Sequence, residues 1–180
     1  MPQLPVSDQP ISGIVAAGAI AAGLSLRVLK MVLQVSARKR DFEQLQQLLA
    51  AAEGEEERLL KCAEDDGVAY KAYIEARRSG SPSAPTALKQ AIETPMMAAR
   101  AAVAGIGFCR ELAGLLEGAI RADVRGAAVL LLGSVRAILC SVDVNLSEVE
   151  DEAFASEMKE QRREIERQAV ELSEEVLRCA

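Results

Sequence analysis

PISGIVAAGAIAAGLSL, Pro10 to Leu26, carries glycine, alanine and aliphatic side chains, and the first charges after it are Arg27 and Lys30. Such a run suits a membrane span, a signal peptide, a phosphate loop or a closely packed internal helix. A signal peptide needs positive charge ahead of its apolar core, and Met1–Pro10 offers Asp8 but no Lys or Arg. A membrane span needs about twenty strongly apolar residues. Alanine and glycine drive insertion weakly, and Arg27 and Lys30 interrupt this run. The reading left is a helix that starts after Pro10 and, having no polar side between Ile14 and Leu26, is enclosed on nearly all sides.

Composition extends that reading to the whole chain. Half of the 180 residues are hydrophobic but only 3% are aromatic and tryptophan is absent. The core must therefore come from Ala, Leu, Val and Ile. Good helix formers dominate and β-branched runs bounded by turns are missing, which predicts an all-α protein. The formal charge of −6 argues against general nucleic-acid binding, which needs a basic stripe. Cys62, Cys109, Cys140 and Cys179 are widely spaced, and there is no histidine. That pattern suits reduced, mostly buried thiols in a cytosol rather than a zinc site or a disulfide framework. Serine-hydrolase, zinc-hydrolase and P-loop chemistries find no support, so proton transfers would fall to Asp, Glu, Lys, Tyr or Cys.

Five segments follow the helical period. The first spans about Gly13–Val35. The second, about Arg38–Arg77, carries an apolar stripe through Phe42, Leu45, Leu48, Leu49, Leu59, Leu60, Ala63 and Tyr70, with Gly54 and Gly67 as points of bending or division. SGSPSAPT, Ser79–Thr86, is a loop. The third runs from about Ala87 to Ile120 and contains Pro95, which predicts a kink or break. The fourth, about Asp123–Val144, is mostly buried. The last begins at NLSEVEDE, where Ser147 and Glu150 have capping-box spacing, and continues as a charged helix covering the outside. The expected architecture is one domain over residues 1–180, an antiparallel bundle of about five long helices.

Four places could carry chemistry. In AEDDGVAYKAY, Asp65 and Asp66 sit mid-helix; they either belong to a solvated face or send one carboxyl inward, where burial would raise its pKa for acid/base work. Asp123 in IRADVRGAA is either the N-cap of the fourth helix or a group projecting into a cleft. Ser12 and Gly13 stand at a helix N-terminus, where backbone N–H groups can hold an anion or carbonyl, although close packing explains the glycine equally. Arg38, Lys39 and Arg40 form either a solvated turn or a cationic mouth.

Taken in order, these segments resemble the cyclodeaminase/cyclohydrolase family, the helical domain of formiminotransferase-cyclodeaminase and the related methenyltetrahydrofolate cyclohydrolases. The family's Pro-Gly-Gly-Gly-Ser-Val-Ala-Ala opening corresponds to Pro10–Ala17, and its Lys-rich turn to ARKRD. Its Asp-x-x-Ala-Phe/Tyr motif falls on DGVAY at Asp66, and its Glu-Val-Pro-Leu on ETPM, Glu93–Met96. Its Ser-Asp-Ala-Gly falls on ADVR at Asp123, and its Asn-Val-x-x-Asn-Leu on SVDVNL. The chain departs from the pattern at Ile11, Ser12 and Ile14 in the glycine loop and at Val124-Arg125 after the second aspartate.

The resemblance implies a substrate of the one-carbon-substituted tetrahydrofolate class. Formimino- or methenyltetrahydrofolate would be processed without metal or cofactor, with Asp66 as acid/base and Asp123 orienting the ligand or sharing the proton. It assigns Ser12 and Gly13 to the pterin or reacting carbon, and Arg38, Lys39 and Arg40 to the glutamate tail. It also implies a cytoplasmic homodimer with no membrane or nucleic-acid partner. The altered loop supports a different expectation, a divergent member that keeps the bundle as a non-catalytic binding or assembly module.

Overall fold

The computed structural model describes residues 13–37, 43–116 and 118–179. They form five α-helices: α1 (Ile14–Ala37), α2 (Glu43–Arg78), α3 (Ala84–Ala113), α4 (Ile120–Leu146) and α5 (Glu152–Arg178). Each of the first four helices packs on two neighbours, in the cyclic order α1, α2, α3, α4. Helices α1 and α3 also touch across the centre, whereas α2 and α4 occupy the other diagonal and do not meet. Helix α5 lies outside, in the groove between α3 and α4. This is the expected all-α antiparallel bundle.

Small residues set its tightness. A Cβ built on Gly18 of α1 would lie 2.8 Å from Ile138 Cγ1 and 3.3 Å from the Ser134 carbonyl on α4, so only glycine permits this approach. The hydroxyls of Ser25 and Ser134 enter the core by donating to carbonyls one turn back, Ala21 and Leu130, at 2.9 Å each. One polar contact joins α1 to α2. Arg27 Nε lies 2.5 Å from Glu56 Oε1, and Lys30 Nζ lies 2.9 Å from Glu56 Oε2. This pairing fixes their register: residues whose numbers add to between 83 and 86 stand level.

Pro95 creates the main internal problem. Helix α3 passes through it unbroken, but proline has no N–H, so the Ala91 carbonyl loses its ordinary helical donor. Asn145 of α4 supplies a replacement, its buried Nδ2 donating to the Ala91 oxygen at 2.9 Å. The proline of ETPM and the asparagine of SVDVNL are thus linked through one interhelical bond to the Ala91 carbonyl.

Several sequence expectations need correction. Helix α2 runs through Gly54 and Gly67 without division, because packing on α1 and α3 outweighs the roughly 1 kcal/mol that a mid-helix glycine costs. Tyr70 faces solvent and Tyr73 is the buried tyrosine. The N-cap of α5 is Asp151, whose carboxylate accepts from the Phe154 N–H at 3.1 Å. Ser147 instead ends α4, its hydroxyl donating to the Val144 carbonyl. Of the cysteines, Cys62 and Cys109 are buried, Cys179 is half-buried and Cys140 is exposed. The largest correction concerns α1: it is not enclosed, for Ile14, Leu24, Met31 and Val35 are all exposed. By length and composition both α1 and α4 could cross a membrane, yet about half of the most apolar stretch of each is buried inside this bundle.

Replacing Asn145 with alanine leaves the Ala91 carbonyl without a donor and is expected to cost about 1–3 kcal/mol in urea unfolding. In a Pro95→Ala background the restored backbone N–H at position 95 can satisfy that carbonyl, so the same replacement should cost clearly less. Equal costs in both backgrounds would show that the bond contributes nothing.

Candidate functional site

Asp66 and its neighbour separate cleanly. Asp65 is half-exposed and pairs with Lys61 one turn earlier, 3.0 Å away. Asp66 turns inward and retains only 9% exposure. Among the described residues nothing donates a hydrogen bond to its carboxylate and no cation pairs with it. Burial alone, disfavouring the charged form, pushes its pKa from 3.8 up to about 6. The inward reading of this aspartate is the one the fold adopts.

The α1–α2 register sets Asp66 level with Ala17–Ile20, one to two turns inside the start of α1. At that start Gly13 adopts a φ of +138°, a conformation L side chains rarely take. Its carbonyl accepts the Ala17 N–H at 3.1 Å, which begins the helix. A Cβ at Gly13 would meet nothing, so the backbone dihedral, not crowding, demands glycine. The first N–H groups of α1 have no intrahelical partners. Gly13 and Asp66 therefore share one end of the bundle. Ser12, Arg38, Lys39 and Arg40 lie outside the described residues.

Asp123 stands elsewhere. It is exposed in the first turn of α4, which begins at Ile120, so it is not the N-cap; Ala119 holds that position. The contact of Gly18 with Ser134 and Ile138 puts Asp123 level with residues near Met31 of α1. It is thus about 20 Å along the axis from Asp66, on the diagonal helix. Within one chain these two carboxylates do not meet.

A cavity of about 730 Å³ opens at the Asp66 end, lined in part by Tyr73, Arg77, Leu88, Lys89, Glu148 and Asp151. Tyr73 sits two turns beyond Asp66 on the same stripe of α2, about 10 Å along the helix. Its hydroxyl lies 2.5 Å from Glu148 Oε2, and Arg77 pairs with the same carboxylate. Lys89 reaches Asp151 at 2.8 Å and lies over the Phe154 ring, 4.6 Å from its centroid. Those contacts hold the Glu148 and Asp151 carboxyls below the usual carboxylate range. Asp66 itself does not line the cavity. Sequence reasoning missed this group because its members come from three helices and a loop. The available signal was the seven-residue step from Asp66 to Tyr73, which returns to one helix face.

Glu56 was also missed. Its burial raises the pKa, but hydrogen bonds from Arg27 and Lys30 outweigh that and hold the carboxyl below its ordinary value. It is a paired structural anion, whereas Asp66 has no partner among the described residues. Among the described residues no three Cys, Asp or Glu side chains converge as a metal site would require.

Because the folded pKa of Asp66 exceeds its ordinary value, its favourable contribution to stability is complete below about pH 4 and disappears as pH rises through 6. A gap of about two pH units corresponds to about 3 kcal/mol. Asp66→Asn is therefore expected to be stabilised relative to the parent above pH 7, and the advantage should shrink by up to that amount at pH 4. Melting curves across that range check it, and an advantage independent of pH would place the carboxylate in water.

Comparison with known proteins follows the same lines as the geometry. A solved structure of formiminotetrahydrofolate cyclodeaminase from Thermotoga maritima superposes with a TM-score of 0.89, covering 96% of this chain and 89% of that one at 24% identity, which establishes the shared fold. Among curated proteins none matches. The sequence pattern of the formiminotransferase-cyclodeaminase family matches residues 6–164, and the chain belongs to that family.

Proposed function

We propose that this protein acts in the cytosol on a formimino- or methenyl-substituted tetrahydrofolate, with Asp66 as the acid/base group. The observation carrying this reading is the Asp66 carboxyl, buried and without a hydrogen-bond or ion-pair partner among the described residues, poised to exchange a proton near neutral pH. Both family reactions pass through a tetrahedral carbon between N5 and N10. In the deaminase direction N10 attacks the formimino carbon, the N10 proton leaves, and the amino group departs as ammonia after gaining a proton. In the hydrolase direction water adds to the methenyl bridge, losing a proton, and one C–N bond then opens as its nitrogen is protonated. Either route needs one group that takes up a proton and returns it, which a carboxyl titrating near 6 does well.

Gly13 and the free N–H groups opening α1 would face the reacting carbon or the pterin carbonyl, with Ser12 beside them. The cavity beyond Tyr73 has the volume a folate headgroup requires. Arg38, Lys39 and Arg40 would draw the glutamate tail by charge. Asp123 cannot share the Asp66 proton within one chain, so its part is confined to orienting a ligand at the other end of the bundle. The active form in this reading is a homodimer.

One feature favours the non-catalytic alternative, a binding or assembly module: Ile14, where the family has serine, is exposed at the mouth of the same site. Two measurements separate the readings. A tetrahydrofolate derivative at about a hundred times its dissociation constant should stabilise the fold by about 2.7 kcal/mol. Turnover measured as kcat/KM should rise as pH increases through about 6 and should vanish in Asp66→Asn. Absence of any thermal shift with 5-formyl- and 5,10-methenyltetrahydrofolate supports the module, and normal turnover in Asp66→Asn removes that residue from catalysis.

A further inference from the structure

The cavity at the Asp66 end carries more hydrogen-bond acceptors than its own walls satisfy. Three carboxylates line it, from Glu148, Glu150 and Asp151, against two cations, Arg77 and Lys89. Both oxygens of Asp151 are engaged, one by the Phe154 N–H and the other by Lys89 Nζ. Glu148 is engaged on one side only. Its Oε2 accepts from the Tyr73 hydroxyl and from Arg77, while no described residue donates to Oε1. Glu150 has no partner among the described residues either, so nothing there holds its side chain in one place. Glu148, by contrast, is fixed from two directions. Tyr73, which grips its carboxylate, is buried, and the Glu148 N–H donates to the Asn145 carbonyl at 3.1 Å. The chain therefore leaves α4 directly from the residue that docks that helix on α3.

We infer that Glu148 is the specificity-determining residue of this cavity and reads the 2-amino-4-oxo edge of a pterin ring. The inference rests on the folate reading above and gives that ligand an orientation. The edge presents, in order, an amino group, a ring N–H and a carbonyl oxygen, so two donors stand beside one acceptor. Glu148 Oε1 offers the free acceptor, and Arg77, paired with the same carboxylate, offers cationic N–H groups next to it. A fixed carboxylate beside a fixed guanidinium is the complement of that edge. Its charge makes each such bond roughly twice as strong as one between neutral groups. The Tyr73 hydroxyl acts as a positioning group, setting the carboxylate before the ligand arrives and so reducing the ordering cost of binding. Pro85, Leu88 and Val149 supply apolar surface for the ring. The step of about 10 Å from Tyr73 back to Asp66 is on the scale of a bicyclic ring held by its edge at Glu148, with its reacting carbon toward Asp66.

Isothermal titration calorimetry on the full chain, with 5-formyltetrahydrofolate and its 2-desamino-2-methyl counterpart, tests the assignment. The parent protein should lose affinity by about ten-fold or more when the amino group is absent. Glu148→Ala should weaken 5-formyltetrahydrofolate by a similar factor and bind the two ligands within about two-fold of each other. Glu148→Gln, which keeps an acceptor oxygen but not the charge, should fall between. Glu150→Gln should discriminate as the parent does. Residues 148 and 150 are exposed and follow the end of α4, so helicity should be unchanged in all three variants. If Glu148→Ala keeps the parent's discrimination, or the parent binds both ligands equally, another group reads the ring; the inference then fails while the folate reading stands. If the parent binds neither ligand, both fail together.

Discussion

The bundle is organised around a carbonyl that its own helix cannot satisfy. Pro95 denies the Ala91 oxygen a backbone donor, and the missing bond is supplied from another helix by Asn145. An unmet carbonyl in this core would cost as much as a sizeable share of a domain's net stability, so α3 and α4 are held at one rotation and one height. Helix α2, which carries Asp66, packs in turn on α3, where Pro95 and Met96 are buried. The proline does not break the helix, because the side chain that repairs it also docks the neighbouring helix.

Two buried acids on α2 show how surroundings decide function. Glu56 is met by two cations and fixes the register between α1 and α2. Asp66, ten residues later, is buried without a partner among the described residues, and its pKa rises to about 6. The pairing of Glu56 has a second effect, since it draws Arg27 and Lys30 off the outer side of α1. Together with the Arg136 and Asp143 contacts to α5, this leaves the outer faces of α1 and α4 apolar. The structural ion pairs and the uncharged surface have one cause.

The helices were readable in the sequence because apolar periodicity and composition are local properties, but α3 begins at Ala84, inside the expected Ser79–Thr86 loop, and ends at Ala113, and Ile120, expected to end the third helix, begins α4. The inward turn of Asp66 came less directly, from the resemblance at DGVAY rather than from periodicity, which allowed either orientation. Tyr70 was assigned to the buried stripe in place of Tyr73 because α2 is long enough for small errors in helical phase to accumulate. Helix α1 was read as enclosed because an apolar helix does not announce how many of its sides neighbours cover. Only the diagonal arrangement, with α2 and α4 apart, leaves one side of it open. The group around Tyr73, Glu148 and Lys89 could not be read at all, since its parts lie 16 to 75 residues apart along the chain.

The account stands on the state of one carboxyl group. Carbon-detected NMR titration of the Asp66 side chain, assigned by comparison with Asp66→Asn, reads that state without reference to turnover. The expected midpoint is about pH 6, with no companion group titrating alongside. A midpoint at the ordinary 3.8 would mean that water reaches the carboxylate, and the bundle would remain while the chemistry assigned to it would not.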